Sequence, residues 1–106
     1  MTSNSFEARA IAFPAWMATP PAERIALVEK LLEIYNARSE EMAQAISLEM
    51  GAPIDLSRQQ QVTAGSYHIK SILRAARDFQ YDRMLSDRAP DDRILLEPVG
   101  VVGMIT

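Results

Sequence analysis

Enzymatic chemistry at neutral pH usually rests on a nucleophile beside a base, a pair of carboxylates, or a set of metal ligands. The 106-residue chain offers few of these. It has no cysteine, which removes thiolate attack, thiolate metal binding and disulfides at once. Its single histidine, His68, falls on a predicted helix with Tyr67 and Lys70 and has no second ligand at metal spacing, so helix packing or surface exposure is the expected role. No Gly-x-Ser-x-Gly elbow presents a serine to a base. Acidic pairs stand at Glu40 and Glu41 and at Asp91 and Asp92, but adjacent residues in a first turn or a loop point apart and are expected in solvent. Glu49, ahead of Gly51, and Glu97, ahead of Pro98, each border a turn whose amides could hold the carboxylate, a turn-bracing use. Met42, Met50, Met84 and Met104 are spread over different elements, which suits core filling. Gly100 and Gly103 in GVVG lack the Gly-x-Gly-x-x-Gly spacing of the dinucleotide fingerprint and read, on spacing alone, as turn or strand packing.

Composition narrows the class. A hydrophobic content of 48% is that of a globular chain, and a net charge of −3 provides no basic footprint for a nucleic-acid backbone. The start, MTSNSFEARA, lacks a basic region followed by an apolar core, and no stretch approaches the roughly 20 apolar residues of a membrane span. A soluble, cytoplasmic protein without nucleic-acid or membrane partners is therefore expected.

The elements that would position any site are mostly helical. A first helix is predicted over residues 6–13, ended or kinked by Pro14, with Trp16 anchoring the exit. Thr19 as cap, Pro20 at the first helical position and Glu23 in the first turn open a second helix. Its apolar residues Ile25, Val28, Leu31, Leu32 and Tyr35 recur at three and four, forming one buried face. Asn36 allows a bend, and Ser39 restarts a helix carrying Met42, Ala43, Ile46 and Met50, stopped by a left-handed Gly51 before Pro53. Asp55 or Ser57 then caps a third long helix towards Phe79, with Val62, Ile69, Ile72, Leu73, Ala76 and Phe79 on its apolar face. Residues 80–93 are polar and read as a surface connection; ILLEPVG and VVGMIT read as two short strands divided at residues 98–100. The fold class is thus mainly α, about three long helices and two short C-terminal strands. Two strands without a third are marginal unless helices or further sequence cover them.

Three motifs in order point to a family. FPAW followed by PPAER, then EMGAP, then EPVGVVGMIT resemble the amino-terminal part of the NAD(P)-dependent aldehyde dehydrogenase superfamily, over nearly the whole chain from about Ala8. Many relatives carry Lys in place of Ala52, and in the family the last motif continues into Pro-Trp-Asn, whose asparagine helps form the oxyanion hole. The resemblance implies residues 1–106 of an α/β aldehyde dehydrogenase fold truncated at both ends, with a helical region over residues 6–79 and residues 93–106 leading as strands into a Rossmann-like cofactor sheet.

It also implies a chemistry. Family members attack an aldehyde with a cysteine thiolate, hold the tetrahedral adduct in the oxyanion hole, pass hydride to NAD or NADP, and release the carboxylic acid with a glutamate-activated water. None of those catalytic positions matches a residue of this chain, and neither Glu49 nor Glu97 corresponds to the catalytic glutamate. Ile105 and Thr106 match positions bordering the dinucleotide. The 106 residues alone are then inactive scaffold of a homodimeric or homotetrameric enzyme, and Val102 and Ile105 are left exposed without strand partners. The alternative from a different class is a stand-alone helical module that self-associates and has no catalysis.

Overall fold

The computed structural model describes residues 3–102. The chain forms two compact units, one of residues 21–79 and one of residues 1–20 with 80–106.

The first of these is all helical. Helix α2 (Pro21–Ala37) turns at Arg38 into α3 (Ser39–Met50), which closes on Gly51 with φ 73°, its N–H bonded to the Ser47 carbonyl at 3.0 Å. That left-handed stop is the one the glycine was expected to supply. A short α4 (Ile54–Leu56) runs through a π-helical turn (Ser57–Gln61) into α5 (Val62–Asp78). Helix α5 packs along α2, and α3 packs on the π turn.

The side chains explain this layout. Ile25, Val28, Leu32 and Tyr35 are half-buried on α2, whereas Leu31, expected among them, is exposed. On α5, Val62 and Leu73 are buried and Ile69 and Ala76 half-buried, while Ile72 and Phe79, also expected inside, are exposed. Burying Val62 and Leu73 is worth roughly 1.5–3 kcal/mol each. Ala43 of α3 is fully buried, its small side chain allowing close approach of the π turn.

Several expected caps are placed differently. Thr19 closes α1 instead of opening α2: its hydroxyl donates to the Ala15 carbonyl at 3.0 Å, and α2 starts at Pro21. Pro21 thus takes the first position, where a missing amide costs nothing. Ser39 lies inside α3, with Arg38 at the cap and no side-chain cap bond. Neither Asp55 nor Ser57 caps the third long helix. Pro53 precedes its first residue, and Ser57 is buried inside the π turn.

In the second unit, α1 (Ser3–Ala18) runs through Pro14 where an end or a kink was expected. Proline costs the helix one amide bond there but leaves its helical φ intact. Trp16, expected at the exit, is inside the helix, its carbonyl accepting the Thr19 N–H at 3.1 Å. Residues 80–93, expected as a connection, instead fold into an antiparallel hairpin of β1 (Asp82–Ser86) and β2 (Ala89–Leu95). The pairs Asp82 with Leu95, Arg83 with Ile94 and Met84 with Arg93 set the register, which shifts between Met84 and Ser86. An Asp82–Arg93 ion pair at 2.7 Å crosses the ladder, and the Leu96 N–H donates to the Tyr81 carbonyl beyond it. Polar composition hid these strands, because nearly every side chain on both faces is exposed and no apolar alternation marks one face. Of the two expected strands, ILLEPVG overlaps only the end of β2; residues 99–102 have no regular structure, and the remainder of VVGMIT lies outside the described residues.

Candidate functional site

Ile105 and Thr106, the residues expected beside a dinucleotide, lie outside the described residues, as do Gly103 and Met104. The segment leading towards them is described as far as Val102. Gly100 has φ 138°, a backbone conformation that side-chain-bearing residues avoid, and a Cβ added there would meet nothing within 4 Å. Its need for glycine is conformational, which fits a turn and not close strand packing. Gly100, Val101 and Val102 line a cleft of about 360 Å³ with Arg9, Phe13 and Trp16 of α1. Among the described residues of that lining Arg9 alone is charged, so they form no acid–base pair. Val102 is 70% exposed, but it lies in no strand, so the exposure expected of an unpartnered strand does not describe it.

The carboxylates separate by use. Glu40 receives the Arg58 guanidinium in two bonds, Nε to Oε2 at 2.9 Å and Nη2 to Oε1 at 2.7 Å, and the Gln44 amide at 2.9 Å. These bonds, Arg58's first, hold its carboxyl at about 2, below the ordinary carboxylate range, and raise Arg58. Glu41 turns instead to Arg38 at 2.7 Å and is lowered by that bond and charge. The two neighbours point apart, as their adjacency requires. Each is held ionised by an arginine, which suits a clamp and not proton transfer.

Asp91 and Asp92 are exposed on β2, where adjacent side chains take opposite faces. Glu49 and Glu97 are exposed and accept no hydrogen bond among the described residues, so the expected turn bracing is not made there. His68 is exposed on α5, its ring edge-on to Tyr67 at 5.6 Å. No group of three or more His, Cys, Asp or Glu among the described residues is placed to hold a metal ion.

The built interactions lie where the residue types gave no chemical signal. The Tyr35 hydroxyl donates to the Val62 carbonyl at 2.9 Å, at the exit of the π turn. Gly65, one turn further on, gives the tyrosine its slot: a Cβ there would overlap the hydroxyl and stand 2.8 Å from Cζ. The Ser47 and Ser57 hydroxyls bond each other at 2.9 Å, and Thr63 Oγ1 donates to the Gln59 and Gln60 carbonyls at 2.7 and 3.0 Å. A mid-helix glycine within an apolar periodicity was the one available sign of this close approach. Between α2 and α5 lies a second recess, with the Glu29–Arg77 ion pair at 2.5 Å and Lys70 and Arg74 beside it. These groups join helices; none sets a nucleophile against a base.

Residues 3–106 match the Aldehyde dehydrogenase family. The chain belongs to that family. Its helices and strands are accordingly a partial α/β aldehyde dehydrogenase fold. A crystal structure of aldehyde dehydrogenase from Bartonella henselae superposes with a TM-score of 0.75 and 44% identity, covering 77% of this chain and 17% of that one. A 3-succinoylsemialdehyde-pyridine dehydrogenase of a Pseudomonas species is 33% identical over 96 residues, which are 90% of this chain and 19% of that protein. The chain thus spans about a fifth of the length of the curated relatives it matches.

Proposed function

We propose that these residues are the amino-terminal scaffold of an NAD(P)-dependent aldehyde dehydrogenase that oxidises an aldehyde to a carboxylic acid, with water supplying the added oxygen. The observation that carries this reading is the family match over residues 3–106, combined with coverage of only a fifth of each relative. The chain's chemistry fits it: without cysteine, and with Glu40 and Glu41 each locked to an arginine, the described residues form joints between helices. Residues 6–79 would form the helical region that packs on the cofactor domain, and residues 93–106 would lead into its sheet.

NAD or NADP would be met at Ile105 and Thr106. Among the described residues, the cleft beside Gly100 offers a dinucleotide one arginine among apolar groups. Their part is to support the sheet that the cofactor requires. A cytoplasmic homodimer or homotetramer is the assembly that goes with this reading. No helix among the described residues is long and apolar enough to cross a membrane.

Sequencing the source DNA on both sides of these codons tests the proposal. Codons for Pro-Trp-Asn directly after Thr106, with a cysteine-bearing segment later in frame, are expected. A stop codon after Thr106 in authentic genomic sequence would remove the dehydrogenase reading from this gene product.

A further inference from the structure

We draw no further inference here: the strongest candidate, the recess between α2 and α5 where Lys70 and Arg74 have no ionic partner among the described residues, is flanked by the carboxylates of Glu29 and Glu33 and has no buried polar side chain aimed into it, so nothing in the structure shows what it would bind.

Discussion

At the scale of single residues, the molecule is held by a few tight polar contacts around a very small core. Gly65 and Tyr35 form the sharpest of them, because ring and backbone occupy space that any Cβ would need. Replacing Gly65→Ala should cost about 1–3 kcal/mol, the usual penalty of overpacking, despite alanine's better helix propensity. Urea unfolding followed by circular dichroism at low protein concentration measures it, and an unchanged or raised midpoint would show that the slot is not filled in solution. Glu40 makes a second prediction through pH. Its folded-state pKa lies below the ordinary carboxylate value, so its stabilising effect is complete above about 4.5 and is lost as pH falls towards about 2. Glu40→Gln should therefore lower the urea midpoint at neutral pH and flatten its dependence between those limits. Equal acid sensitivity in both proteins would show that the Arg58 clamp contributes nothing.

At the scale of elements, the joint between α3 and the π turn is made by hydroxyls and by the absence of bulk at Ala43. Ser57→Ala leaves the Ser47 hydroxyl without its partner and should cost about 1 kcal/mol; removing both hydroxyls should cost less than the two single changes added together. A strictly additive double-mutant cycle would mean the pair does not interact. What was legible in the sequence follows from the same physics. The three long helices were visible because Ile25, Val28, Leu32 and Tyr35, or Ile69, Leu73 and Ala76, repeat at helical spacing, and Gly51 was visible because a helix stop needs a left-handed residue. The hairpin was not, because an exposed two-stranded ladder leaves no period-two apolar pattern to read. The π turn was also hidden: the bonds made at its first residue, Ser57, and just past its end, at Val62, come from Ser47 and Tyr35, 10 and 27 positions away. As for the candidate site, the lack of a cysteine and the separation of Glu40 from Glu41 were readable from residue types alone, whereas the cleft beside Gly100 depends on where α1 lies within its unit.

At the scale of the whole molecule, the apolar surface exceeds what the fold covers. Helix α2 has a second stripe, Leu27, Leu31 and Ile34, of which Leu27 is 55% exposed, while Leu31 and Ile34 border an open groove of about 380 Å³ with Met42 and Ala45. Only Ala43, Val62 and Leu73 are buried apolar residues among those described. A helix apolar on two sides leaves its second stripe for another surface to cover. The 106-residue chain by itself should be helical by circular dichroism, bind a hydrophobic dye, and sediment with a concentration-dependent mass. A dye-silent monomer at all concentrations would show that the stripe needs no cover. The most direct test of the central claim, that this is scaffold whose catalysis depends on more chain than these residues, is an assay of aldehyde-dependent NAD(P)H formation. It compares the 106 residues with the product of the same reading frame continued past Thr106. Cofactor reduction by the longer product only is expected; reduction by the 106 residues alone, or by neither protein across a broad panel of aldehydes with both cofactors, would refute the scaffold role.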